Sequence, residues 1–175
     1  QSTGTAVGWG DNDQAASTPL APAEAYSAIG AGGYHTCALK KSDGTAECWG
    51  NNENDGATPP TPAEAYFAIS AGLRFTCALK QSNGHPVCWG TNSNGEVTPP
   101  TTVEAYSAIS SGRKHACALK ESDATAVCWG LNDDDQRSPV TGAYSAIGAG
   151  HFHTCALQQS DGTAVCWGAN NYNQT

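Results

Sequence analysis

Four times along this chain the same cassette of about forty residues returns, and a fifth, partial copy stands at the N-terminus. Each full copy reads Tyr-x-Ala-Ile, then a Gly two or three residues before a His or Phe and a Cys-Ala-Leu, and finally Cys-Trp-Gly. The Trp-Gly anchors are Trp9, Trp49, Trp89, Trp129 and Trp167. A period of this length defines small supersecondary units that cannot bury their apolar faces singly and have to stack side by side. The constant positions then build the stack, and function belongs to the loops that the stack displays.

The eight cysteines obey the same period: Cys37 with Cys48, Cys77 with Cys88, Cys117 with Cys128 and Cys155 with Cys166. Repeat symmetry favours pairing within each cassette. Each bridge would close a loop of about 12 residues, worth roughly 3 kcal/mol by chain entropy. A zinc site is the rival, but the spacing lacks the short Cys-x2-4-Cys signature. Disulfides imply an oxidising, secreted and extracellular setting. An N-terminal Gln without Met agrees with a mature chain from which a signal peptide has been cut, or with a fragment of something longer.

A net charge of −8 with only eight Lys and Arg argues against a nucleic-acid partner or an anionic membrane surface. No run of 18 apolar residues exists, so no membrane span is expected.

Strand signals are short and dense. Within the first full cassette the expected strands are 26–29, 36–39 and 45–49, with a brief outer strand over 58–65 limited by its prolines. Residues 41–44, Lys-Ser-Asp-Gly, form a hairpin turn in which Gly44 suits positive φ. If Lys40 faces Thr45 across it, Cys37 falls opposite Cys48, so turn and disulfide agree on one register. Cys37 and Leu39 share one face while Trp49 lies on the other face from Cys48, which leaves bulk on both faces. The expected fold is all-β: a β-propeller of four-stranded blades of about forty residues, one disulfide in each. The blades would run from about 26–65, 66–105, 106–143 and 144–175 within one repeat domain, after a partial blade at 1–25. A right-handed β-solenoid is the alternative.

The cassette resembles the repeat of the regulator of chromosome condensation family, through Tyr106-Ser107-Ala108-Ile109, Gly112-x-x-His115-Ala116-Cys117-Ala118-Leu119 and Val127-Cys128-Trp129-Gly130-x-Asn132. The resemblance implies a propeller, commonly of seven blades, and looks closest to compact secreted bacterial members, including the beta-lactamase-inhibiting type. It implies a binding platform. The Gly-Gln-Leu-Gly that often follows the Asn is degraded here to Asn54-Asp55-Gly56, Asn94-Gly95-Glu96 and Asp134-Asp135-Gln136.

The third-strand motif occurs at both ends, at residues 5–10 and 163–168, with Gly8 where the other copies carry Cys. The duplication fits a homodimer that closes the ring by exchanging terminal strands, or a smaller monomeric ring, or a fragment.

Catalysis finds no support, since no Ser-His-Asp or paired-carboxylate set stands out from the repeat. The family's His position holds His35, Phe75, His115 and His153, and the Phe favours a packed histidine hydrogen-bonded to a neighbouring loop over three imidazoles converging on a metal. Candidate recognition residues are the variable pairs before it: Tyr34 after Gly33, Leu73 with Arg74, Arg113 with Lys114, and His151 with Phe152. These large, basic or aromatic types are enriched at protein hot spots. A second set is acidic and amide-rich, at residues 11–13, 51–55, 92–96 and 132–135, and could hold calcium or grip sugars repeatedly, as a lectin does. A non-enzymatic scaffold for a protein partner, acting in one form as an inhibitor, is the leading reading. A glycan-binding lectin and a structural extracellular component are the alternatives.

Overall fold

The structure is a computed structural model and describes residues 4–19, 24–100 and 103–175. The expected partial copy at 1–25 and blade at 66–105 therefore lie in part outside the described residues. Among the described residues twelve strands form: β1 (Tyr26–Ala31), β2 (His35–Lys40), β3 (Ala46–Gly50), β4 (Tyr66–Ala71), β5 (Phe75–Lys80), β6 (Pro86–Gly90), β7 (Tyr106–Ser111), β8 (His115–Lys120), β9 (Ala126–Gly130), β10 (Tyr144–Ala149), β11 (His153–Gln158) and β12 (Ala164–Gly168). They make four antiparallel three-stranded sheets in chain order, one per repeat.

The hairpin sets the register. Lys40 N donates to Thr45 O (2.9 Å) and Asp43 Oδ1 accepts from Thr45 N (2.9 Å), an Asx turn that closes on Gly44 at φ +73°. Cys37 consequently stands opposite Cys48, and the same pairing recurs for Cys77 with Cys88, Cys117 with Cys128 and Cys155 with Cys166. All four pairs are disulfides, each joining the second and third strands of its own sheet, as the repeat symmetry led us to expect. The bridges differ in cover: Cys37, Cys77 and Cys117 are fully buried on their second strands, whereas Cys88 and Cys166 on their third strands are only half-buried.

The fourth strand does not form. Residues 58–64 carry no strand, and the outer segment is reduced to a single bridge between Thr45 and Ala65. Pro59, Pro60 and Pro62 supply no ladder donors, so a hydrogen-bonded strand cannot run through them. Bridges at Thr125–Ala143 and Thr5–Ala25 repeat the arrangement.

The core lies between sheets. The face of repeat 1 that carries Cys37, Leu39 and Cys48 packs on Tyr66, Ile69, Ala78 and Trp89 of repeat 2, and equivalent clusters join repeats 2 to 3 and 3 to 4. Burial of a Leu or aromatic side chain in such a junction stabilises by roughly 1.5–3 kcal/mol. The Trp indole of each full repeat donates to a carbonyl in the loop before it: Trp49 to Ala16 O, Trp89 to Gly56 O, Trp129 to Glu96 O and Trp167 to Gln136 O, all at 2.9 Å.

The ends stay open. On the last sheet Leu157 is 42 % exposed, while its counterparts Leu39 and Leu79 are fully buried. Residues 5–10, expected as a strand, bridge at Thr5 and leave Trp9 85 % exposed, and among the described residues no second strand stands beside them. Among the described residues no closed ring is seen.

Candidate functional site

Backbone geometry assembles the variable pairs before each second strand into one rim. Gly33 N donates to Gly72 O (3.0 Å) and Leu73 N to Arg113 O (3.3 Å), which sets neighbouring pairs side by side. A Cβ on Gly32 would stand 2.4 Å from Gly72 O and one on Gly112 2.3 Å from Gly150 O, so the glycines are what allow this approach. The Trp-Gly motif fixes the rim from below. Gly50 lies at φ +104°, a Cβ there would stand 2.7 Å from Tyr34 O, and the next residue, Asn51, donates its N–H to that carbonyl (2.8 Å).

On this frame the candidate residues meet across repeat boundaries. The Arg74 guanidinium sits 5.1 Å from the Tyr34 ring centre, and Arg113 sits 5.1 Å from that of Phe152. His151 meets Phe152 edge-on at 4.6 Å. Partial burial and the Arg113 charge hold the His151 imidazole below its ordinary pKa. Leu73, Arg113 and His151 also line the mouth of a shallow depression floored by Gly and Ala of the four Ala-Gly or Ser-Gly turns. Lys114 lies on the same rim, half-buried, and joins neither cation–aromatic pair.

Two of the three histidines at the repeat position are structural contacts. His35 Nε2 shares a hydrogen bond with Thr76 Oγ1 of the next repeat (2.7 Å), and His115 Nε2 with Thr154 Oγ1 (2.8 Å). Burial lowers both imidazoles to a pKa of about 4. In repeat 2 the pair is replaced as a unit: Phe75 takes the His place, and Ala116 takes the Thr place facing it in the same apolar cluster. The partner is thus a threonine of the adjoining sheet, where sequence pointed to a neighbouring loop. The co-replacement of Phe75 and Ala116 was the signal that could have found it.

The amide-rich loops are spent on themselves. Asn52 donates to Thr58 Oγ1 (2.7 Å) and accepts from Ala57 N (3.0 Å), and Asn12, Asn92, Asn132 and Asn170 each accept from the backbone N–H five residues on. Glu96 and Gln136, fully buried, fold back on their own loops by accepting from Asn94 N and Asp134 N. Sequence reading took Glu96 as part of an acidic loop and Gln136 as part of a degraded motif, whereas both are buried. Among the described residues no group of three or more His, Cys, Asp or Glu is placed to hold a metal ion.

Stacked three-stranded sheets with a disulfide in each define a propeller-like repeat protein. The description "Regulator of chromosome condensation (RCC1) repeat" matches residues 26–55, 106–136 and 144–174, just over half of the chain, and the chain belongs to that family. No curated protein sequence matches it. Among solved structures it is similar to the ectodomain of the receptor kinase CR4 from Physcomitrella patens, with 29 % identity, a TM-score of 0.79, and 94 % of this chain and 47 % of that one covered. It is similar also to the CRINKLY WD40 ectodomain of the receptor kinase ACR4 from Arabidopsis thaliana, at 27 % identity and a TM-score of 0.71, covering 87 % and 53 %. Prp20p from Saccharomyces cerevisiae shares the fold at 20 % identity and a TM-score of 0.67, covering 82 % and 44 %. The chain spans about half the length of these solved chains. Its four disulfides and its likeness to two ectodomains place it in an oxidising, extracellular setting.

Proposed function

We propose that the chain is a non-enzymatic extracellular scaffold that binds a protein partner through its rim. The observation that carries this reading is the pairing of Tyr34 with Arg74 and of Arg113 with Phe152 across repeat boundaries, on a frame that is otherwise regular. Arg and aromatic side chains held rigidly by their neighbours lose little entropy on binding and are the types that dominate protein interfaces. The likeness to two receptor-kinase ectodomains supports the same reading. A non-catalytic role is supported by what the histidines do, since His35 and His115 are buried and engaged with threonines. A repeated sugar site draws less support, because the rim clusters differ from repeat to repeat and the loop asparagines are already hydrogen-bonded.

Photo-crosslinking from position 114 in extracellular extracts tests the proposal. Partners captured by the native chain should be lost with Arg74→Ala and with Phe152→Ala, and selective glycan-array binding that survives both substitutions would reverse it. Inhibition of a beta-lactamase is the narrower form, open to a chromogenic assay with the chain in excess. A homodimer would be an exchange in which each N-terminal segment completes the last sheet of the other chain. A doubled chain mass in light scattering that is lost on deletion of residues 1–19 would support that exchange.

A further inference from the structure

The centre of the rim is basic, on a chain whose net charge is −8. Lys80 and Lys120 close the far ends of β5 and β8, where they meet Glu64 and Glu104 at 2.9 and 3.0 Å. Arg74, Arg113 and Lys114 stand at the near ends, immediately before the same two strands. Among the described residues none of these three meets a carboxylate within ion-pair distance or donates a side-chain hydrogen bond. Arg74 and Arg113 rest on the Tyr34 and Phe152 rings instead, and Arg113 Nε is shielded from water without an acceptor.

Acidic residues surround this patch without entering it. Leu131 N donates to Lys114 O (2.8 Å), and the loop that starts there carries Asp133, Asp134 and Asp135, all exposed. Asn51 N donates to Tyr34 O (2.8 Å) and leads in the same way to exposed Glu53 and Asp55. At the centre lies the shallow depression between the four inner turns, about 280 Å³ in volume, with no Asp or Glu in its lining. Its floor of Gly and Ala leaves room for an incoming side chain, and Leu73, Arg113 and His151 stand at its mouth. Repeats 2, 3 and 4 supply Arg74, Arg113, Lys114 and His151 and pack on one another directly, so the arrangement is independent of either end of the chain.

Resting on the reading of the rim as a protein-binding face, we propose that the partner enters this depression with one Asp or Glu side chain at the tip of a turn, flanked by Lys or Arg. The carboxylate accepts from the Arg113 guanidinium, and such charge-assisted bonds are roughly twice as strong as neutral ones. Phe152 holds that guanidinium in place before the partner arrives, which limits the entropy lost on binding. Lys114 and Arg74 add attraction for the same charge. A neutral tip would cover these cations without pairing them, at a desolvation cost. Away from the centre the sign reverses. The loops bearing Glu53, Asp55 and Asp133 to Asp135 repel a broadly acidic surface and favour basic residues on either side of the tip. The face thus selects an acidic point within a basic surround.

The probe is a phage-displayed library of short disulfide-closed loops, selected on the full chain and depleted on the Arg74→Ala, Phe152→Ala double variant so that only rim binders remain. The retained loops should share one Asp or Glu at the tip with Lys or Arg beside it. In calorimetry of a synthetic loop, replacing the tip acid by its amide should weaken Kd at least about tenfold, and Arg113→Gln should do the same. The two changes together should cost no more than either alone, a coupling that a merely structural role for Arg113 would not produce. Arg113→Lys should recover part of the loss, and far-UV circular dichroism checks that each variant keeps its fold. Rim-binding loops without a shared acid, or loops indifferent to its amide, overturn the proposal while leaving the rim as a protein-binding face. A library that yields no rim binder at all overturns both.

Discussion

At the scale of single residues, the repeat exposes its own irregularities, and these are the places to intervene. Gly44, Gly84 and Gly162 close their hairpins at φ between +69° and +73°, whereas the third repeat places Ala124 there at φ +58°. A side chain in this left-handed region costs about 1 kcal/mol relative to glycine. Ala124→Gly should therefore stabilise the chain by about 1 kcal/mol in urea unfolding, despite the added flexibility of the unfolded state. The buried histidines give a pH dependence. His35 and His115 titrate near 4 in the fold and near 6.5 when unfolded. Between those values the unfolded chain takes up more protons, so stability is fully present above about pH 6.5 and is lost as pH falls through about 4. Thermal melts should be flat from about pH 8 to 6.5 and drop below it. Copying the chain's own solution, His35→Phe with Thr76→Ala, should reduce the drop.

At the scale of the strand and hairpin, turn and disulfide act on the same register, so removing one leaves the other. Cys117→Ala with Cys128→Ala frees a loop of sequence separation 11 and should cost roughly 3 kcal/mol in chemical unfolding, with the remaining circular dichroism retained. This register was legible in the sequence because it depends only on counting from Gly44 to the cysteines. The strand expected at 58–65 failed for an equally local reason: its prolines set the outcome, and a single bridge at Ala65 is what they permit. The cross-repeat contacts were less legible. Tyr34 and Arg74 stand forty positions apart, and whether they meet depends on how closely Gly33 and Gly72 approach, a distance no periodicity encodes. The His-to-Thr bond lay between these extremes. Phe75 was visible as an exception, but its meaning required noticing Ala116 at the Thr position of the next copy.

At the scale of the whole molecule, each junction is made from the same parts, and stability is close to a sum over neighbours. The indole donations run in one direction, from each repeat to the loop before it. The N-terminal segment therefore shields the first sheet with a partial copy of what a preceding repeat would provide. Among the described residues none covers the last sheet in this way, and Leu157 with Tyr172, 89 % exposed, marks the side from which fraying should begin. Hydrogen exchange at neutral pH should show β12 opening before β3.

Because Phe75 and Ala116 make the central junction without an imidazole, the row is chemically uneven along its length. Acid strikes the first and third junctions through His35 and His115 and finds no imidazole in the second. Mild acid should therefore dismantle the protein from both ends toward the middle, leaving repeats 2 and 3 as a protected two-sheet remnant near pH 4. Protection confined to β4 through β9 in acid hydrogen exchange would reveal it, while uniform loss across all twelve strands would show that the four units melt as one.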